Sequence, residues 1–388
     1  MLDARNESFS VIEEMLSLKS GNLEKLIIMG CLPLLELDKT KEKYPEIDAL
    51  VVPKDYDGID QLIFDMYSVK AMEKSGDGRR RLTTPMHYAY LKIADGCNNR
   101  CAFCKIPFIR GNYQSVPMDS LIKEAEELCN RGVKEIILVA QDITRYGCDT
   151  GYKENLVLLL QNLSKIKKLS WIRLLYCYPD MVSDELINEM ADNPKVLRYI
   201  DIPLQHISDN VLSRMNRKSR KAEIISLINK LRSKMPDIAI RSTFMVGFPG
   251  ESKRDFKELL DFLKEYRLDN VGFFKYSREE GTASYDMDGQ IDEKDKDARL
   301  KKVQSLQEKI STEKNRSLIG QTFKVLVDGY DKAHRFYISR SYSMAPDIDF
   351  EVLFESPFNI QIGSFVDVTI LDYDKGYFIG CVEKRTTY

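Results

Sequence analysis

"YAYLKIADGCNNRCAFCKIPFIRG" (residues 88–111) sets an apolar run directly before three cysteines, Cys97, Cys101 and Cys104, which fall within eight residues. The apolar part reads as a β-strand. Gly96, Asn98 and Asn99 then favour a loop over a helix. Four-iron iron–sulfur clusters usually take four thiolates. Three from the protein leave one iron open to a small chelating ligand, and a catalytic zinc site keeps an open position for the same reason. The competing readings are a zinc knot completed by a distant Cys or His, and three buried cysteines on a helix face. C-x3-C-x2-C is not a usual zinc spacing, and the asparagines oppose the helix. The loop therefore reads as an open iron–sulfur site.

Outward from this loop a rhythm repeats. "YAYLKIADG", "EIILVAQD", "WIRLLYCYP", "YIDIPLQ", "AIRSTFMVGFP" and "VGFFKYS" alternate with amphipathic stretches such as 118–130, 154–167, 220–235 and 251–266. Six apolar strands at intervals of roughly 35 residues fit βα units and a parallel α/β sheet covered on both faces. Polar groups follow the strands (Asp95, Gln141, Asp142, Tyr178, Gln205, His206, Ser277), at the end where such folds carry chemistry. Spacing alone does not separate a six-stranded partial barrel from a doubly wound sheet.

Before this region, 6–18 reads as an amphipathic helix, and "KLIIMGC" (25–31) and "IDALVVP" (47–53) as short buried strands of an α/β layer. "KSGDGRRRLTTP" (74–85) reads as a linker, although Arg79–Arg81 offers charge to a phosphate. After a charged helix at 293–316, five short β-type runs without a helix between them predict a small antiparallel barrel, OB-like in strand number. The expected domains are 1–73, a linker at 74–86, 87–312 and 313–388.

Net charge is −2 over 388 residues, so the overall balance demands neither nucleic acid nor an anionic membrane. No apolar run approaches the roughly 20 residues that span a bilayer. The N-terminus lacks the basic and apolar regions of a signal peptide. Eight cysteines are too sparse for a disulfide scaffold, and their clustering points to a reducing cytoplasm and to metal.

The triad, with Phe103 before its last cysteine and a parallel α/β repeat around it, resembles the radical S-adenosylmethionine superfamily. "LVAQDITRYG", "IDIPLQHISDNVLSRMNR", "RSTFMVGFPGE" and "YSREEGTASYDM" extend the resemblance to the methylthiotransferases, from about residue 3 to the C-terminus. It implies a partial (β/α)6 barrel, preceded by an incomplete α/β domain and followed by a TRAM-like β-barrel. It also implies a [4Fe–4S] cluster on Cys97, Cys101 and Cys104. The methionine amine and carboxylate of S-adenosylmethionine chelate its open iron, and electron transfer then yields a deoxyadenosyl radical. One S-adenosylmethionine methylates sulfur at an auxiliary cluster, and another supplies the radical that removes hydrogen from the substrate carbon.

"IPLQHISD" (202–209) and "RSYSMAPDID" (340–349) resemble the RimO-type branch, which acts on the β-carbon of an aspartate in ribosomal protein number twelve, over the tRNA adenosine branch. Charge agrees: residues 320–388 hold seven Lys/Arg and ten Asp/Glu. A barrel gripping RNA should be basic, whereas an acidic one suits a basic ribosomal protein. The remaining alternatives are a tRNA methylthiotransferase and a non-catalytic zinc-stabilised binding protein. An electron donor such as flavodoxin is implied.

Phe103, Gln141, Asp142, Gln205, Arg241 and Thr243 are candidates for cofactor contact, against ordinary core packing for Phe103 and helix or turn capping for the others. Gly247, Pro249 and Gly250 read first as a strand-to-helix turn. His206 reads as a hydrogen-bonded structural residue, and Cys129, Cys148, Cys177 and Cys381 as packing thiols. In the family a second cluster, held by three N-terminal cysteines, supplies the sulfur. Cys31 matches the third of these, and the first two have no counterpart in this chain. One thiolate does not hold a cluster alone. The expectation is a shortened or misassigned N-terminus, with catalysis impaired if the second cluster cannot form.

Overall fold

Helical spacing of Phe9, Ile12, Met15 and Leu16 forms α1 (Leu2–Ser17) in the computed structural model, which describes residues 2–69, 80–151 and 153–382. Strand β1 (Ile27–Met29) pairs in parallel with β2 (Ala49–Val51), and α2 (Cys31–Lys43) joins them. Helix α3 (Ile59–Met66) follows. The sequence predicts that β1 is buried; instead Met29 is 45% exposed. Among the described residues β1 pairs with one strand alone, β2. These elements form a compact unit with Phe103–Asn112 and Ser277–Tyr285. Within it α2 contacts α4 (Ile106–Arg110). Of the expected linker, residues 74–79, Arg79 included, lie outside the described residues; residues 80–86 are irregular.

The second unit comprises Leu82–Ala102, Tyr113–Tyr276 and Asp286–Tyr388. Its first strand is β3 (Tyr88–Lys92). A short antiparallel ribbon of β4 (Ala94–Asp95) and β5 (Gln114–Ser115) follows. Then come β6 (Glu135–Val139), β7 (Trp171–Leu174), β8 (Val196–Asp201), β9 (Ala239–Val246) and β10 (Asn270–Lys275). Strands β3, β6, β7, β8, β9 and β10 pair in parallel in sequence order. A doubly wound sheet reverses its order partway, at the switch point. Uninterrupted order is that of a barrel wall, here open between its first and last strands.

Seven helices follow the strands: α5 (Met118–Asn130), α6 (Leu156–Ser164), α7 (Asp184–Asp192), α8 (Asp209–Arg214), α9 (Lys221–Lys234), α10 (Lys253–Tyr266) and α11 (Glu293–Arg316). Asn155, Ser183, Ser252 and Asp292 accept first-turn N–H groups and so fix where α6, α7, α10 and α11 begin. Helix residues such as Leu121, Leu159 and Ile187 pack on the outer-face residues Leu91, Leu138, Leu174 and Ile200.

The inner face departs from the expected apolar pattern. Tyr88, Ile137, Trp171, Tyr199 and Ala239 pack there with Leu326 and Ala345 of the C-terminal region. Alternation along the strands puts Glu135, Arg173, Asp201 and Arg241 on the same face. The C-terminal region supplies partners to Glu135, Arg173 and Arg241, and folds as a closed barrel of β11 (Thr322–Asp331), β12 (Phe336–Ser341), β13 (Glu351–Glu355), β14 (Phe365–Asp374) and β15 (Tyr377–Cys381). The order is β11-β12-β13-β15-β14, closing on β11. The expected purely antiparallel barrel is corrected at one seam, where β13 and β15 run parallel. An odd number of strands cannot alternate in direction all the way round a closed ring.

Arg340 ties the two layers together. Its guanidinium pairs with Glu135 at 2.9 Å and binds both oxygens of Asp328 at 2.6 and 2.9 Å. Glu135 also accepts from Arg173 at 2.6 Å, and His87 Nε2 lies 2.7 Å from Asp328. Glu135 and Arg173 are fully buried.

Candidate active site

The cysteine loop leaves the sheet after β3. Cys97 and Cys101 are buried in the second unit, whereas Cys104, three residues on, belongs to the segment grouped with the first unit. None of the three is in a disulfide. Each sulfur faces a hydrogen-bonding group. The backbone N–H of Asn99 points at Cys97 Sγ (3.5 Å) and that of Ile106 at Cys104 Sγ (3.4 Å). Cys101 Sγ meets the Tyr178 hydroxyl at 3.2 Å and Arg217 Nη1 at 3.6 Å. Burial raises the Cys97 thiol above its ordinary value, partly offset by Asn99. Among the described residues, no three Cys, His, Asp or Glu side chains gather at metal-ligating distance. The donor set nonetheless fits iron–sulfur ligation: three thiols of one short loop, each facing a donor suited to thiolate sulfur.

Asp142 explains how the loop is held. It follows β6 and is fully enclosed. Asn99 Nδ2 donates to its Oδ2 at 2.8 Å, Arg145 Nε lies 3.1 Å from the same oxygen, and the Thr144 N–H and hydroxyl bind Oδ1. Arg145 also donates to Asn99 Oδ1 at 2.9 Å. Asn99 is thus pinned on both sides, in the orientation that aims its N–H at Cys97. Burial raises the Asp142 carboxyl, opposed by Thr144 and Asn99. Its place is as a clamp on the cysteine loop. Replacing Asp142 by alanine leaves Asn99 Nδ2 without its acceptor and Arg145 with Asn99 Oδ1 and Asp180, at a cost of about 1.5–3 kcal/mol for a charged hydrogen bond. The expected result is faster iron loss from the reconstituted chain to a chelator, followed by absorbance. An unchanged rate rejects the clamp.

The other candidates fall in three places. Gln141 and Gln205 each carry a buried side-chain oxygen with no hydrogen-bond partner among the described residues. Such orphans at strand ends fit the polar groups of a bound cofactor. Gln205 has a positive φ of 70° and is zipped to β9, its N–H donating to Thr243 O and its C=O accepting from Met245 N–H, both 2.8 Å. That brings Gln205 beside Thr243. Arg241 is spent elsewhere: it pairs with Asp201 at 3.0 Å and Asp349 at 3.5 Å. Phe103 is half-buried in the first unit, and so is Cys31, the first residue of α2.

Gly247 and Gly250 form the predicted strand-to-helix turn, with φ of 76° and 82°. A Cβ on Gly247 would lie 2.4 Å from Lys296 Cγ, and one on Gly250 2.5 Å from Arg214 Nε, so the chain's own side chains fill the space beside them. His206 Nδ1 accepts the Ser208 N–H at 3.0 Å, while its buried Nε2 has no hydrogen-bond partner among the described residues. Cys129 and Cys177 are buried, but Cys148 and Cys381 only half so. Sequence reasoning missed Asn99, Arg145 and Arg217 as site residues, and read Tyr178 only as a polar strand end. The one available signal was the pair of asparagines between ligand cysteines.

A cavity of about 500 Å³ lies between the sheet's last strands and the barrel, lined in part by Arg241, Gly272, Asp347, Asp349, Glu351 and Tyr377. Burial raises the Asp349 and Glu351 carboxyls from their ordinary values. Among the described residues no helix is long and apolar enough to cross a membrane.

Residues 91–263 match the radical SAM superfamily and 319–382 the TRAM domain. The chain is similar along nearly its whole length to ribosomal protein uS12 methylthiotransferases named RimO. The one from Clostridium botulinum (strain Eklund 17B / Type B) is 48% identical over 99% of this chain and 88% of that one. Those from Thermoanaerobacter sp. (strain X514) and Acetivibrio thermocellus are 45% and 43% identical over 95% and 97% of this chain, and 86% of each relative. Among solved structures, the cobalamin-dependent S-adenosylmethionine radical enzyme OxsB aligns with a TM-score of 0.50 at 14% identity, over 78% of this chain and 46% of that one. That likeness concerns the fold.

Proposed function

Because the chain belongs to the RimO family of radical S-adenosylmethionine methylthiotransferases, we propose that it adds a methylthio group to the β-carbon of an aspartate in ribosomal protein uS12. The observation that carries this is the 48% identity maintained over 99% of the chain. Family membership implies a [4Fe–4S] cluster and S-adenosylmethionine. Cys97, Cys101 and Cys104 hold the cluster, which when bound supplies the electron for reductive cleavage of S-adenosylmethionine. Asp142 and Asn99 keep the loop in shape. Gln141 and Gln205 offer their unpartnered oxygens to the cofactor, and Thr243 stands beside Gln205.

The acidic barrel supports a basic protein substrate over tRNA, since a carboxylate-lined surface repels phosphate and attracts Lys and Arg. A one-electron donor such as flavodoxin and a cytoplasmic location belong to the same reading. The test is mass spectrometry of uS12 and tRNA from a strain lacking its own enzyme and complemented with this chain. A methylthio group on the uS12 aspartate is expected, and its appearance on tRNA adenosine instead overturns the substrate.

Cys31 is the ligand we assign to a second, sulfur-donating cluster. Anaerobic reconstitution of the wild type and of Cys31→Ala tests it, with iron counted per chain: the variant should hold less iron than the wild type and keep about four atoms, those of the radical cluster. About eight, unchanged by Cys31→Ala, rejects that assignment.

A further inference from the structure

Arg217 lies beyond α8, far along the chain from the cysteine loop, yet its guanidinium is buried against Cys101. The side chain is 5% exposed. Nη2 donates to Pro203 O at 2.6 Å, Nη1 points at Cys101 Sγ at 3.6 Å, and the guanidinium carbon stacks 4.1 Å from the centre of the Tyr178 ring. The Tyr178 hydroxyl reaches the same sulfur at 3.2 Å. Among the described residues no carboxylate pairs with Arg217 within 4 Å, although Asp180 contributes at longer range. A buried cation needs a counter-charge nearby. The group placed to provide one is the Cys101 sulfur, as a thiolate.

We propose that Arg217, braced by Tyr178, is the counter-charge of the cluster at Cys101 and raises its reduction potential. This rests on the reading that the three cysteines hold a [4Fe–4S] cluster. Reduction adds one electron to the cluster from an external one-electron donor, and no bond forms or breaks. The cluster and its thiolates become more negative by one charge. A fixed cation and hydrogen bonds to a ligand sulfur favour the more negative state, and such hydrogen bonds are a known lever on cluster potentials. The same contacts neutralise a buried thiolate. Arg217 is thus a tuning residue that acts through Cys101.

The experiment is an anaerobic dithionite titration of the reconstituted full chain, followed by the electron paramagnetic resonance of the reduced cluster, without S-adenosylmethionine. Arg217→Met keeps the apolar stem and removes the charge. Its midpoint should fall by about a tenfold change in the reduction equilibrium, which is about 59 mV for one electron. Arg217→Lys should restore most of the shift. Tyr178→Phe should give a smaller fall in the same direction. A wild-type midpoint in Arg217→Met with full iron overturns the proposal, even if affinity for S-adenosylmethionine falls, since the cation would then serve the cofactor's carboxylate. If Arg217→Met does not assemble a cluster, Tyr178→Phe decides, a wild-type midpoint there counting against the proposal. Wild-type chain without iron, sulfide and reduced signal defeats instead the cluster reading beneath it.

Discussion

Cys101→Ala, reconstituted anaerobically, releases no deoxyadenosine from S-adenosylmethionine above background. Two thiolates remain, and a four-iron cluster with one corner already open does not persist on two. Position makes Cys101 the most damaging of the three. Its sulfur faces both Arg217 and Tyr178, so truncation removes a ligand and also strands a buried guanidinium. Cys97→Ala and Cys104→Ala should also lose iron, with less disturbance of the apoprotein fold, because each of those sulfurs meets a backbone N–H. Cys381→Ala, in β15 of the barrel, is the control and should keep both iron and cleavage. Iron and sulfide assays with chromatographic detection of deoxyadenosine check the set. A Cys101→Ala chain that stays brown and cleaves the cofactor refutes the site.

The fold was legible because its signals are local. Strand-and-helix rhythm needs only neighbouring residues, and helices α5 and α11 fall where the apolar spacing and the charged run put them. The cysteine loop declared itself for the same reason. What stayed hidden depends on partners remote in sequence. Arg217 and Cys101 are 116 positions apart, and Asp142 and Asn99 are 43 apart. "EIILVAQD" and "WIRLLYCYP" read as apolar on both faces, because no local rule tells that Glu135 and Arg173 face inward together. Tyr342 O, accepting from Arg173 at 2.7 Å, lies 169 residues further on. Asp142 illustrates the limit on site residues. A polar group after a strand signals function, but only the fold separates contact with a cofactor from support of the loop beside it.

Arg340→Met should uncouple the C-terminal barrel from the sheet, with a loss of about 3–5 kcal/mol. Removing one member of a buried charged set is costly because the others stay buried. Without Arg340, among the described residues Glu135 keeps Arg173 and Asp328 keeps His87 as charged partners. Replacing the exposed pair Lys257–Asp261 should leave stability close to that of the wild type, since water already solvates both groups. Calorimetry separates the cases: wild type unfolds the sheet and barrel together, whereas Arg340→Met shows an earlier barrel transition. The pH dependence supplies a second check. Burial pushes Glu135 and Asp328 up, but Arg340 with Arg173 outweighs it for Glu135, and His87 with Arg340 outweighs it for Asp328, so both sit below their ordinary values. A carboxylate depressed in the folded state contributes stability above its unfolded value, about pH 4, and loses it as pH falls through the folded value. The deficit of Arg340→Met relative to wild type should therefore be full at neutral pH and narrow below about pH 4. A deficit absent throughout would mean that the shared apolar layer of Tyr88, Trp171, Tyr199, Leu326 and Ala345 holds the barrel without help from charge, and one constant down to about pH 3 that Arg340 acts through packing and its bond to Met344 O.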